Sequence, residues 1–309
     1  MAVSKDTSSH APVRREYALK DGDISAVHFG RTANPLKLVF LHANGFNAMS
    51  YRSVLQPLGV HAAALDMRGH GMSKLPADAA ALSSWHIFRD DVCEFFERYV
   101  DRPVILAGHS FGAVSAILAA PILGGKVSGF VGFDPVIVPQ PFRALSATKA
   151  GRQMMKTRLP IAAKAGRRRA DFSSQKQAFD NYKGRGVFKN MKDDVIQDYL
   201  TGGLIKTGGG ARLACAPLWE QAIFCAQNHN TMKAARHLPD QREIMFAGKN
   251  SPTPFSLQAR MKARLGRDNV RSSSKLDHLF PLHAPALAAR ALENMLKKVS
   301  LQSPKHEAP

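Results

Sequence analysis

Residues 104–118 constrain this chain most. The apolar run Val104-Ile105-Leu106-Ala107 has the length and composition of a buried strand. Gly108-His109-Ser110-Phe111-Gly112 follows without a spacer, and Ala113-Val114-Ser115-Ala116-Ile117-Leu118 continues as a helix-like apolar run. A strand passes into a helix this abruptly only through a strained turn. A glycine on either side of the apex removes the Cβ atoms that would collide with neighbouring backbone. Ser110 is therefore expected at the apex, presented at the end of a buried strand. Two glycines around a serine are common by chance, and it is the flanking strand and helix that give the pentapeptide its meaning.

The same alternation extends over most of the chain. Tyr17-Ala18-Leu19, the turn Asp21-Gly22-Asp23 and Ile24 to Phe29 read as an antiparallel hairpin. Leu36 to Leu41 and the alanine-rich His61 to Leu65 read as strands, with a short helix from Ser50 to Leu58 between them. Trp85, Phe88, Val92, Phe95 and Phe96 recur at helical spacing within Leu82 to Tyr99, with Ser83 or Ser84 as the cap. Gly129 to Phe133, Glu243 to Ala247 and Val270 to Leu276 supply further strands, and Pro285 to Val299 closes as an amphipathic helix. Strands alternating with helices imply an α/β fold whose mostly parallel sheet is covered on both faces.

From about Pro139 to Asp240 the alternation stops and the pattern is mostly helical, so residues 139–239 are expected to form an inserted helical lid. The core is then 14–138 and 240–300, with a disordered tail at 1–13 and a second tail at 301–309. The first half of the insertion is dense in cations, and Arg167-Arg168-Arg169 reads as a solvated helix face.

Lys and Arg number 43 against 24 Asp and Glu, a formal net charge of +19. Such a balance suits nucleic acid, anionic membranes or acidic substrates. No nucleic-acid-binding signature accompanies it, and aromatics are not interleaved with the cations as a stacking platform requires. The charge is read as a solvated basic surface, with contact to an anionic surface as a lesser option and no nucleic-acid partner. No apolar stretch approaches the ~18 residues a membrane span needs, and Met1 to Tyr17 lacks the apolar core of a secretory signal. Cys93, Cys215 and Cys225 have neither metal-ligand spacing nor an evident pairing. A cytoplasmic location follows as the expectation, and neither a metal nor an organic cofactor is implied.

Several segments together resemble the α/β-hydrolase superfamily. Gly108 to Gly112 looks like its nucleophile elbow, and Asp277-His278-Leu279-Phe280-Pro281 resembles its histidine-bearing ending. His42-Ala43-Asn44-Gly45-Phe46-Asn47 is similar to its oxyanion loop, and Asp66-Met67-Arg68-Gly69-His70-Gly71-Met72-Ser73 to its Asp-x-Arg-Gly-x-Gly-x-Ser turn. The resemblance covers about Tyr17 to Val299. It implies Ser110 as nucleophile, His278 as base, and an oxyanion hole from the backbone N–H of Phe111 with one from Ala43 or Asn44.

The acid departs from the commonest pattern. Where most of the family carries it, in Gly248-Lys249-Asn250-Ser251-Pro252, Ser251 stands instead, and a serine cannot supply the charge that stabilises an imidazolium. Asp134, at the end of the strand Gly129 to Phe133 and before Pro135, is favoured as the replacement over a dyad without an acid, and Ser251 is expected to matter little. His283 is the rival base. His42 and His70 read as structural, and Asp277 as a structural or surface group. His109, Trp219 and Glu220 are candidate substrate contacts, with Phe224 beside them.

The implied chemistry is hydrolysis of a small to medium carboxylic ester through an acyl-enzyme on Ser110. A serine at the elbow disfavours alkyl-enzyme routes, which need a carboxylate nucleophile. Acyl transfer, carbon–carbon bond hydrolysis, cofactor-free haloperoxidation and a non-catalytic binding homologue stay open, because one fold hosts many reactions.

Overall fold

The computed structural model describes residues 11–302. Eight strands form the main sheet: β1 (Val13–Leu19), β2 (Gly22–Phe29), β3 (Leu38–Leu41), β4 (Ala62–Asp66), β5 (Val104–His109), β6 (Val127–Phe133), β10 (Arg242–Lys249) and β11 (Val270–Asp277). A second, three-stranded sheet lies between β6 and β10: β7 (Asp171–Phe172), β8 (Leu204–Thr207) and β9 (Gly210–Leu213). The main sheet runs β1-β2-β4-β3-β5-β6-β10-β11. β1 pairs antiparallel with β2 and β2 with β4, and every later pair is parallel. This is the mostly parallel α/β sheet that the alternation of strands and helices implied.

Side-chain character follows sheet position. β3, β4 and β5 are buried along their whole length, because a central parallel strand has packed layers on both faces. The alanines of β4 fit this crowding, and Ala62, Ala63 and Ala64 have no exposure. The edge strands β1 and β11 carry arginine, serine and lysine and leave much of their length exposed. One face of the sheet packs on the helices His86–Tyr99 and Phe111–Leu123 through Phe88, Val92, Phe111 and Ile117. The other packs on Pro285–Gln302 through Leu292 and Met295.

Several boundaries moved. Residues 1–10 and 303–309 of the expected tails lie outside the described residues, but Val13 already opens β1, and the last helix runs on through Gln302. The helix expected from Leu82 begins at His86, where Ser84 Oγ accepts the His86 N–H at 3.4 Å. The segment between β6 and β10 is helical from Gln140 to Gly166, as its pattern suggested, but also contains β7, β8 and β9, which the sequence reading did not anticipate. Arg167-Arg168-Arg169 is not a helix face. The helix Pro160–Gly166 ends before it, and Arg168 turns inward. No helix among the described residues is long and apolar enough to cross a membrane.

Candidate active site

The two glycines around Ser110 do what their position implied. A Cβ on Gly112 would stand 2.2 Å from Leu41 O and 2.5 Å from His42 O, so this turn of helix lies against the end of β3. A Cβ on Gly108 would stand 2.6 Å from the carbonyl carbon of Gly112. Ser110 has φ 54° and ψ −116°. Among the described residues, the non-glycine residues with positive φ are Ser110, Asp134 and Asn250, and all three lie at this site. Such strain costs roughly 1–3 kcal/mol per residue and persists where the surroundings hold it in place.

Ser110, His278 and Asp134 come together from three separate turns. Ser110 Oγ lies 2.9 Å from His278 Nε2, and His278 Nδ1 lies 2.6 Å from Asp134 Oδ2. A carboxylate only accepts, so Nδ1 carries the proton and Nε2 presents its lone pair to the serine hydroxyl. Asp134 has no solvent exposure, and its Oδ1 accepts from Ala247 N–H at 3.1 Å and from Ser251 Oγ at 2.8 Å. Ser251, which the sequence reading expected to matter little, supplies one of these two donors. Its hydroxyl fills the ground an acid after β10 would occupy and holds the carboxylate that replaces it.

The chain on either side of Asp134 is pinned. Asp134 N–H donates to Met245 O at 2.7 Å on the neighbouring strand. Thr253 Oγ1 donates to Pro135 O at 2.6 Å and accepts Ile137 N–H at 2.8 Å, which clamps the chain as it leaves the sheet.

A second, buried chain of hydrogen bonds stands behind the first. His278 O accepts from His109 Nε2 at 2.7 Å, and because a carbonyl cannot donate, Nε2 holds the His109 proton. His109 Nδ1 therefore accepts, and Tyr51 O–H donates to it at 2.7 Å. Tyr51 Oη in turn accepts Ala43 N–H at 3.1 Å. Burial first, then His278 nearby, pushes the His109 pKa well below its ordinary value, consistent with the neutral ring this chain requires. His109 lines neither cavity at Ser110, which corrects its expected role as a substrate contact. Nothing in the local sequence around Tyr51 signals its part.

The same chain revises the oxyanion loop. Ala43 N–H is taken by Tyr51 and is removed as a candidate donor. Phe111 N–H, in the first turn of its helix, and Asn44 N–H donate to no protein acceptor among the described residues. The Asn44 loop is held from below by two neutral histidines. His42 Nδ1 donates to Ala43 O at 2.8 Å while Nε2 accepts Met67 N–H at 2.9 Å. His70 Nδ1 donates to Arg68 O at 3.0 Å while Nε2 accepts Gly45 N–H at 3.2 Å. Burial lowers the His42 pKa to about 4, and burial with His42 alongside lowers that of His70 to about 3. Both nitrogens of each ring are thus taken up by backbone groups around the loop.

The remaining candidates separate. Trp219 is 2% exposed, donates from Nε1 to Arg68 O at 2.9 Å and lines no cavity at Ser110, so its expected contact with substrate is corrected to a packing role. Glu220 does line a cavity beside Ser110, but as the ion-pair partner of Arg168 at 2.6 Å. Arg168 also bonds Tyr199 and Tyr182. Phe224 borders both cavities. His283 pairs with Asp277 at 2.9 Å and makes no bond to Ser110. No cluster of His, Cys, Asp and Glu among the described residues could hold a metal ion.

Residues 38–291 match the sequence profile described as "Alpha/beta hydrolase family". The human monoglyceride lipase is 31% identical over 129 residues, which are 38% of this chain and 42% of that protein, so the similarity spans less than half of the relative. Among solved structures, E-2-(acetamidomethylene)succinate hydrolase superposes with a TM-score of 0.73 at 19% identity, covering 93% of this chain and 100% of that one. The thioesterase domain from the curacin biosynthetic pathway gives 0.72 at 14% identity, with 93% and 100% coverage. At these identities the structural likeness speaks for the fold alone.

Proposed function

The chain belongs to the alpha/beta hydrolase family, and from that premise we propose that it hydrolyses a carboxylic ester of small to medium size through an acyl-enzyme on Ser110. The observation that carries this reading is the unbroken line from Ser110 Oγ through His278 to Asp134, at 2.9 and 2.6 Å. His278 Nε2 takes the hydroxyl proton as Ser110 attacks the carbonyl carbon, and Asp134 stabilises the imidazolium that forms. The tetrahedral oxyanion is held by the N–H groups of Phe111 and Asn44, each such donor contributing about 3 kcal/mol in the transition state. His278 then returns the proton to the leaving alcohol. Water, deprotonated by the same nitrogen, attacks the acyl-enzyme, and His278 returns that proton to Ser110 Oγ as the acid leaves.

The segment 139–239 acts as the lid of this site. Supporting this, Phe142, Leu159 and Phe224 from that segment wall the space beside Ser110. An inactive binding homologue drew its support from the serine at 251, and that support lapses with a carboxylate from the end of β6 on His278. Three free cysteines fit a cytoplasmic location.

The test is turnover of p-nitrophenyl esters from short to long acyl chains, wild type beside Ser110→Ala. Turnover abolished by the substitution is the expected result, with an optimum at short acyl chains. Turnover that survives it overturns the acyl-enzyme.

A further inference from the structure

Two cavities meet at Ser110, and they differ in charge. The smaller, about 220 Å³, is walled by Trp85, Val136, Phe142 and Leu159 among others and has no formally charged residue in its lining. The larger, about 840 Å³, has Lys164, Arg167, Arg168, Arg185 and Lys189 around it. Two acids share that lining, Glu220 and Asp277, and both are engaged. Glu220 is bound by Arg168 at 2.6 Å, and Asp277 accepts from His283 at 2.9 Å and from Leu279 N–H at 2.9 Å. Lys164, Arg167, Arg185 and Lys189 have no ion-pair partner among the described residues.

These exposed cations come from two separate elements. Lys164 lies on the helix Pro160–Gly166 and Arg167 just after it, while Arg185 and Lys189 flank a short helical turn at Gly186–Phe188. The two segments converge, with Lys164 Nζ 3.7 Å from where a Cβ on Gly186 would stand. Gathering like charges from separate elements around one cavity costs self-repulsion, which a bound anion removes. A cleft lined by one sign of charge also concentrates ligands of the other sign and speeds their entry.

We propose that the substrate of this site is an ester or thioester bearing an anionic group, carboxylate or phosphate, seated among Lys164, Arg167 and Arg185, with its apolar portion in the smaller cavity. This rests on the esterase reading above and narrows its substrate class. The smaller cavity has the volume share of about seven waters, so the apolar portion has a similar number of heavy atoms. Hydrolysis adds water across the acyl bond and leaves the anionic group unchanged.

Matched ester pairs test this in a pH-stat. Methyl hydrogen succinate against methyl butyrate places a carboxylate on the acyl side, and 1-acetylglycerol 3-phosphate against 1-acetylglycerol places a phosphate on the alcohol side. The expected result is that the anionic member of at least one pair has the higher kcat/KM, by about tenfold per charge-assisted contact. That ratio falls as salt rises from 20 to 500 mM and shrinks at least tenfold in the double variant Arg167→Ala/Arg185→Ala. A preference confined to the succinate pair identifies a carboxylate, and one confined to the glycerol pair a phosphate. Neutral members turned over as well as anionic ones, with Ser110-dependent hydrolysis of p-nitrophenyl esters intact, overturn this inference and leave the esterase reading standing. If no ester reacts, the esterase reading fails and calorimetry with butyl phosphate decides the anion site. Binding weakened at least tenfold by the double variant supports it, and absence of binding overturns it.

Discussion

Asp134→Asn tests the acid with little change of shape, and the surroundings of the carboxylate predict how it fails. Oδ1 accepts two donors, Ala247 N–H and Ser251 O–H, while Oδ2 accepts one, His278 Nδ1–H. An asparagine has one carbonyl oxygen to give. Turning its NH₂ toward Ala247 would set donor against donor in a fully buried place, costing about 1–3 kcal/mol. The hydroxyl of Ser251 can rotate to accept, but the backbone N–H of Ala247 cannot. The amide oxygen therefore stays with Ala247 and the NH₂ faces His278. Nδ1 must then accept, the imidazole proton moves to Nε2, and the lone pair aimed at Ser110 is lost. With the charge on the imidazolium also unopposed, kcat is expected to fall by about 10⁴, or ~5.5 kcal/mol. The assay is kcat for a p-nitrophenyl ester at saturating substrate, with ¹⁵N NMR of the His278 ring reporting the tautomer. Ser251→Ala is the comparator. It removes one of two donors to Oδ1 and leaves the charge and the His278 contact in place, so a loss of no more than about tenfold is expected. A fall of less than tenfold in Asp134→Asn, or an unchanged tautomer, refutes the assignment of Asp134.

Two further outcomes follow from the buried polar groups. Tyr51→Phe leaves Ala43 N–H and His109 Nδ1 without partners, which should lower stability by about 2–4 kcal/mol and reduce kcat more than it raises KM. Urea melts with kinetics check this, and a variant with wild-type melt and kcat refutes the relay. Acid should unfold the protein early. Burial, ahead of neighbouring histidines, lowers the pKa of His28, His70 and His229 to about 3, and burial lowers that of His42 to about 4. A group with a depressed folded pKa adds stability above its unfolded value of ~6.5, lost as pH falls toward the folded one. Each of the four should cost about 2 kcal/mol between pH 8 and pH 5, together approaching a whole domain's stability. Equal urea midpoints at pH 8 and pH 5 would contradict that sign.

What was legible in the sequence was local. Ser110 and its glycines, the histidine before Phe280-Pro281 and the fully apolar strands each sit in a pattern a few residues long, because the constraint they satisfy is equally short. Asp134 was reached as the acid that ends the strand Gly129 to Phe133, just before Pro135. The partners illegible in the sequence bond across long separations. Tyr51 meets His109 58 positions away, Ser251 meets Asp134 117 away, and Arg168 meets Glu220 52 away. Arg167-Arg168-Arg169 misled for the same reason, since a run of cations reads as solvated until the acid and tyrosines that draw its middle member inward are in view. The strand pairs inside the insertion were missed because β7 has two residues and β8 and β9 have four each, too short for alternation to register.

The clamp at Thr253 has a mechanical consequence. Asp134 lies just before about a hundred residues of insertion, and an unpinned chain there would transmit every shift of the insertion to the carboxylate. With Pro135 O and Ile137 N–H both tied to one side chain on the far side of the insertion, the tether and the charge are uncoupled. Shifts of the chain beyond Ile137 then leave the acid in registration with His278. The Thr253 hydroxyl thus carries the hold that Met245 and Ala247 keep on Asp134 onward to Pro135 and Ile137 of the departing chain.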